Sequence, residues 1–272
     1  MWSLDWSWLA FTGSEQRDYL ERILTCSVAS LAPGETAHGL LLSRTGRTLG
    51  ELWLLADGER TLAAIASGGG PVAVELEKYI LAADVTLERL DWVTGAGLAT
   101  TAGGSAATDS GWTATGDGVR FRALLGQAVT AAPGIVADDE PELARLAQLA
   151  TGIPDWDAES VARRNPLEAG LGALVPADVG CYPGQEVISK LRHVGGLRRR
   201  LVRLQLSAPV EAGTALERDG APAGKVTSTA FQPDGSQLAL GYVKRPVEGE
   251  RLVAGEAGAL VLGPGLLDDL PF

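Results

Sequence analysis

Beyond Gly195-Gly196 the chain becomes a series of short apolar runs, at 201–206, 224–228, 238–243 and 259–262. Turns such as Arg218-Asp219-Gly220 and Pro233-Asp234-Gly235 separate them. Even spacing of short strand-like runs between turn residues is the pattern of strands that fold back on one another until the sheet closes. It predicts a small antiparallel β-barrel over residues 196–272.

The part before the glycine pair mixes helical and strand periodicities. Thr12-Gly13-Ser14-Glu15 has the form of a capping box, and Leu20, Ile23 and Leu24 follow at helical spacing, which predicts a helix over 15–24. Apolar segments at 39–43 and 50–56 flank Arg44-Thr45-Gly46-Arg47, a hairpin signal with its glycine in the turn. Val72, Leu76, Tyr79 and Ile80 share one face of a helix expected over 72–82, and 85–92 reads as a strand. Trp2, Trp6 and Trp8 alternate as in one N-terminal strand. Residues 94–118 read as loop and short strands. Gly95-Ala96-Gly97 is no dinucleotide fingerprint, because Thr100 stands where the third glycine belongs and no amphipathic helix follows. Asp138-Asp139-Glu140-Pro141 opens a third helix through about Ala150, with Leu143, Leu146 and Ala147 inward, closed by Gly152 and Pro154. Mixed elements followed by strands give an α+β protein, with an α+β core over 1–195 and the barrel over 196–272.

Composition removes several function classes. With 46% hydrophobic and 21% charged residues among 272, the chain is globular and can bury a sizeable core. A net charge of −11 argues against a nucleic-acid binder, which needs a large basic surface. No signal peptide or membrane span is visible, so the expectation is a soluble protein of the cytoplasm, where thiols stay reduced. Two cysteines, Cys26 and Cys181, cannot supply a four-cysteine iron–sulfur site within one chain. The repeated spacing Cys26–His38 and Cys181–His193 lacks the short ligand pairs of structural zinc, so no metal site is assigned.

The chemistry-bearing residues gather in Asn165-Pro166-Leu167-Glu168-Ala169-Gly170-Leu171 and in Gly180-Cys181-Tyr182-Pro183-Gly184-Gln185-Glu186. The second stretch holds a thiol, a phenol, an amide and a carboxylate between glycines, which permit close backbone approach to a ligand. Its cysteine reads either as an exposed, reactive thiol or as a small hydrophobe packed in a turn, and composition alone favours the turn.

The Gly-Cys-Tyr-x-Gly-Gln-Glu stretch resembles the signature of the YgfZ family, whose members are similar to the T-protein of glycine cleavage, an aminomethyltransferase. Residues 14–28 resemble the family's first helix, 39–55 its hairpin, and 166–171 its Pro-x-Glu-Ala-Gly-Leu segment. Gly224-Lys225-Val226-Thr227-Ser228 and Ala239-Leu240-Gly241-Tyr242-Val243 resemble two barrel patterns. The resemblance implies three subdomains around a central opening, two of them in the core, with a tetrahydrofolate or one-carbon derivative bound there. It implies that Cys181 is the functional thiol, that Tyr182, Gly184, Gln185 and Glu186 shape its loop, and that Glu168 meets the pterin. A carboxylate suits that edge because it accepts two parallel hydrogen bonds. The function implied is a folate-binding accessory protein, a monomer, for assembly, repair or maintenance of iron–sulfur client enzymes. The alternatives are a folate-dependent aminomethyltransferase and a non-catalytic scaffold without folate.

Three departures bear on that choice. Val179 stands where the family has lysine, removing a cation that would lower the pKa of a neighbouring thiol. Leu24-Thr25-Cys26-Ser27 replaces the T-protein's Leu-Thr-Asn-Asp, and Gly50-Glu51 replaces its acidic pair in the hairpin. Lys190, Arg192, Arg198, Arg199, Arg200 and Arg203 form the one basic concentration in an acidic chain. That concentration suits either the glutamate tail of a folate or a solvated strand. Arg200 alternates with Val202, Leu204 and Leu206, so it points inward and needs a carboxylate or ligand partner. His38 has no acidic neighbour in sequence and receives no role; His193 reads as surface or packing.

Overall fold

A computed structural model describes residues 2–4, 6–65, 69–80, 83–98, 112–115, 118–123, 127–132, 141–177 and 179–270. The chain divides into two compact units. The first comprises Met1–Ser43, Leu49–Glu140 and Asp178–Pro183; the second comprises Arg44–Thr48, Pro141–Ala177 and Gly184–Phe272. Among the described residues no helix is long and apolar enough to cross a membrane.

In the first unit, β1 (Trp2–Leu4) precedes β2 (Ser7–Thr12), α1 (Gln16–Ile23), β3 (Thr36–Leu42), β4 (Thr48–Asp57) and β5 (Arg60–Ile65). Then come α2 (Gly69–Glu77), β6 (Thr86–Leu90), β7 (Val93–Leu98), β8 (Trp112–Thr115), β9 (Gly118–Ala123) and β10 (Gln127–Ala132). They build two five-stranded sheets, ordered β3-β4-β5-β2-β6 and β1-β7-β10-β9-β8. The tryptophans therefore do not share one strand. Trp2 pairs with Ala96 in one sheet while Trp8 pairs with Ala64 and Leu90 in the other. Alternate spacing records which way a side chain points and says nothing about which sheet takes the strand.

The first helix falls where its periodicity predicts, burying Tyr19, Leu20 and Ile23. Its start differs from a capping box: Glu15 is the N-cap and no side chain caps the helix. Ser14 Oγ instead donates to Asp84 Oδ2 at 2.7 Å, and Glu15 Oε2 accepts from the Asp84 amide at 2.6 Å. A distant loop has taken both side chains. The second helix begins earlier than expected, since Pro71 stands in its first turn, where a missing amide costs nothing. It also ends earlier, at Glu77. The Tyr19 hydroxyl donates to the Leu76 carbonyl at 2.6 Å, satisfying one of the helix's last carbonyls. Val72, Ala73 and Leu76 join Leu9, Phe11, Leu41, Leu52 and Leu54 in one core, with Tyr79 and Ile80 packed against it beyond the helix.

The second unit holds α3 (Pro141–Thr151), α4 (Gln185–Val194) and the strands β11 (Arg200–Leu206), β12 (Ala215–Arg218), β13 (Ala221–Phe231), β14 (Gln237–Val243), β15 (Arg251–Ala254) and β16 (Ala257–Gly263). The six strands close into an antiparallel barrel, ordered β11-β14-β13-β12-β15-β16, as the spacing predicts. Periodicity did not single out β12 and β15, which are four residues each and alternate exposed with buried positions. The Val202, Leu204, Val226, Ala239 and Val261 side chains fill the barrel. A Cβ on Gly224 would stand 2.1 Å from the Tyr242 carbonyl oxygen, so the close approach of β13 to β14 requires glycine there. On α3 the described side chains Leu146 and Leu149 pack with Leu201, Leu240 and Tyr242. The side chains of Leu143 and Ala147, expected inward, lie outside the described residues.

Candidate functional site

The two motif segments take different structures. Asn165 to Gly170 forms tight turns, with the Glu168 amide donating to the Asn165 carbonyl at 3.0 Å and the Ala169 amide to the same carbonyl at 3.1 Å. The Asn165 side chain works in both directions. Its Nδ2 donates to the Gly46 carbonyl at 3.0 Å, and its Oδ1 accepts the Leu167 amide at 3.0 Å. The Glu168 carbonyl accepts the Leu201 amide at 2.9 Å. Glu168 is thus held rigidly at the level of the backbone. Its half-buried carboxylate has no hydrogen bond or ion pair among the described residues.

The signature stretch is not one loop. Cys181 is exposed and Tyr182 is buried, but Gly184 is the N-cap of α4 at φ +83°, and Gln185 and Glu186 form the first turn of that helix. The sequence carried a helix signal that the motif obscured. Gly184 and Gly195 bracket it, Glu186 stands near its positive end and Arg192 and His193 near its negative end. Val187, Ile188 and Leu191 have helical spacing, and Ile188 is buried.

The other thiol is packed. Cys26 lies against the first unit's core, and a Cβ on Gly39 would come within 2.5 Å of its sulfur. Burial, reinforced by the charge of Glu21, pushes the Cys26 thiol up to about 12. A thiol so disposed is a small hydrophobe.

Half of the basic concentration serves the C-terminal segment. Arg200 is 8% exposed and donates to Asp268 Oδ2 and to the Leu270 carbonyl, both at 2.9 Å, so Asp268 is the carboxylate that an inward arginine requires. Arg192 donates to Asp269 Oδ2 at 3.0 Å. Arg203 donates to the Pro264 and Ala150 carbonyls, each at 3.0 Å. Lys190, Arg198 and Arg199 are exposed.

Sequence reasoning missed two clusters. In the first unit, His38 Nε2 and Glu51 Oε1 lie 2.8 Å apart with side chains 12% and 11% exposed. The imidazole stacks on Trp53, centroids 3.6 Å apart and planes 15° off parallel. The signal was the hairpin itself, which sets positions 38 and 51 on adjacent strands at similar distances from the turn. In the second unit, Glu159 is fully buried. Its carboxyl accepts the Ser228 hydroxyl at 2.6 Å and the Asp155 amide at 2.7 Å. Burial raises its pKa above the ordinary glutamate value. The Tyr242 hydroxyl donates to the Glu159 carbonyl at 2.9 Å, and the Arg164 guanidinium lies 3.7 Å over the Tyr242 ring. Burial also pushes the Tyr242 phenol up, with Arg164 acting against that shift and the charges of Glu159 and Glu168 adding to it. Ser228 and Tyr242, one from each barrel pattern, therefore fasten the chain at Glu159 and Arg164.

No protein-family model matches the chain. A chloroplastic protein of Arabidopsis thaliana, described only provisionally as a transferase, is 34% identical over 128 residues, 46% of this chain. The match spans 28% of that relative's length. The glycine cleavage system aminomethyltransferase T from Bartonella henselae superposes with a TM-score of 0.80 over 98% of this chain and 85% of that one, at 21% identity. The two share a fold.

Proposed function

We propose that this chain is a tetrahydrofolate-binding accessory protein of the YgfZ type that serves the assembly, repair or maintenance of iron–sulfur enzymes. The observation that carries the ligand is Glu168. A half-buried carboxylate held by the Asn165 turn and by Leu201, yet making no bond of its own among the described residues, is a prepared acceptor for the aminopyrimidinone edge of a pterin. The aminomethyltransferase T fold supports a folate as the bound molecule. The accessory role is supported by the two-cysteine count, which leaves a four-cysteine cluster to a client enzyme, and by the exposure of Cys181.

Aminomethyl transfer is the second reading, favoured by the same fold. It is the weaker one because Glu51, the acidic residue left in the hairpin, is engaged by His38. Calorimetry with tetrahydrofolate decides the ligand. The native protein should bind, and Glu168→Ala should cost about 1.5–3 kcal/mol, the worth of hydrogen bonds to a charged group. A native protein that binds no tetrahydrofolate would leave only a scaffold.

A further inference from the structure

Residues 264–270 follow β16 as neither helix nor strand, yet most of them bond to other elements of the second unit. The Leu266 amide donates to the Thr151 carbonyl and the Ala173 amide to the Leu267 carbonyl, both at 2.8 Å. Asp268 is buried, and its Oδ2 accepts from Arg200 at 2.9 Å. Arg192 Nη2 donates to Asp269 Oδ2 at 3.0 Å and to the Val175 carbonyl at 3.2 Å, and Asp269 lies so close to Gly172 that no Cβ fits there. This C-terminal strap holds the segment carrying Glu168 on both flanks. On one flank Arg200 precedes Leu201, whose amide donates to the Glu168 carbonyl at 2.9 Å and whose Cβ lies 3.8 Å from where a Cβ on Gly170 would stand. On the other, Gly172, Ala173 and Val175 continue the chain beyond Glu168. Stability alone is a poor reason for the Arg200–Asp268 pair. Its side chains are 10% and 0% exposed, and taking two charges out of water offsets much of what their attraction returns. Apolar residues of similar volume would hold the strap about as well. What the ion pair adds is direction, which fixes the register of a segment that has no strand ladder to set it.

We infer that Asp268 is a positioning residue for Glu168: through Arg200 it sets where the C-terminal strap lies, and the strap fixes the turn that presents the carboxylate. This rests on the folate reading of Glu168 and extends it from the acceptor to what holds the acceptor still. A carboxylate that pairs two parallel donors must be aimed as well as present. Neither Asp268 nor Arg200 meets the ligand. Arg200, inward and basic, acts on binding through the Leu201 amide beside it.

The test is a double-mutant cycle on the full chain, read by calorimetry with tetrahydrofolate. Replacing both partners, Arg200→Met with Asp268→Leu, leaves no lone buried charge and should keep the melting temperature near that of the native protein. It should weaken tetrahydrofolate by on the order of 10-fold, part of the loss expected for Glu168→Ala. In a Glu168→Ala background the same pair of substitutions should change the affinity no further, because the strap acts through Glu168. Asp268→Asn, which keeps an oxygen toward the arginine, is the milder variant and should lose less. Equal weakening in both backgrounds, or unchanged affinity in the native background, would overturn the assignment while leaving the folate reading in place. Native protein that binds no tetrahydrofolate would remove the folate reading, and amide hydrogen exchange then decides the strap by itself. The Leu201 amide should exchange faster in the Arg200→Met, Asp268→Leu variant while that of Leu240 in β14 is unchanged. Unchanged exchange at Leu201 would show that the strap does not hold the turn.

Discussion

His38 Nε2 lies 2.8 Å from Glu51 Oε1, and Trp53, two residues further along the same strand as Glu51, stacks on the imidazole at 3.6 Å. The pair stands on a sheet face that also carries the buried side chains of Leu40, Leu42, Leu55 and Leu62. Breaking one side of a buried polar pair leaves the other unsatisfied. Glu51→Leu should therefore destabilise the protein by about 1–3 kcal/mol in urea unfolding, and adding His38→Leu should restore part of the loss. The same engagement bears on turnover. Methylene transfer to tetrahydrofolate from a lipoyl carrier protein should be absent, and robust transfer lost in Glu51→Gln would make aminomethyl transfer the function.

The two thiols should separate cleanly. Cys181 is exposed, whereas Cys26 packs against Gly39 with its thiol pushed up to about 12. Iodoacetamide at mildly alkaline pH should label Cys181 in the folded protein well before the half-buried Cys26, whose thiol stays protonated there. Cys181→Ser should leave the melting temperature unchanged and impair iron–sulfur enzyme activity in cells, while Cys26→Ser should lower stability. Faster labelling of Cys26, or full complementation by Cys181→Ser, would remove the role assigned to the exposed thiol.

Gly224 is where the barrel is tightest. An alanine methyl there would stand 2.1 Å from the Tyr242 carbonyl oxygen, and both positions are backbone within paired strands. Gly224→Ala should cost about 1–3 kcal/mol in thermal or denaturant unfolding. Gly220, in the turn before β13, has nothing within 4 Å of a Cβ but a φ of +77°, so its replacement by alanine acts through backbone strain alone.

Glu159 contributes to pH dependence with a sign opposite to that of most carboxylates. Burial raises its folded pKa, so the fold favours the protonated form. Its contribution is present below the ordinary glutamate value and is lost as pH rises through the raised one. Glu159→Gln stays neutral throughout and can still bond Ser228 and the Asp155 amide. The difference in melting temperature, variant minus native, should therefore move in the variant's favour as pH rises to neutrality. A constant difference across that range would show that Glu159 ionises in the fold as it does unfolded.

Local periodicity was enough for much of this architecture. The barrel follows from evenly spaced runs after Gly195-Gly196, α1 from the spacing of Leu20 and Ile23, and the β3–β4 hairpin from Arg44-Thr45-Gly46-Arg47. Each depends on neighbours within a few residues, which the chain order itself specifies. The α4 helix was equally local, and its glycines and end charges were legible beneath the motif. The partners of the polar groups were not. Ser14 and Glu15 left the capping box for Asp84, 70 and 69 residues away, Arg200 found Asp268 68 residues on, and Glu159 found Ser228 69 residues on. A buried polar side chain must be satisfied, so the sequence could state that inward Arg200 needed a carboxylate. Which carboxylate answers depends on where the chain returns, and that is decided by packing of whole elements, to which no short-range pattern has access.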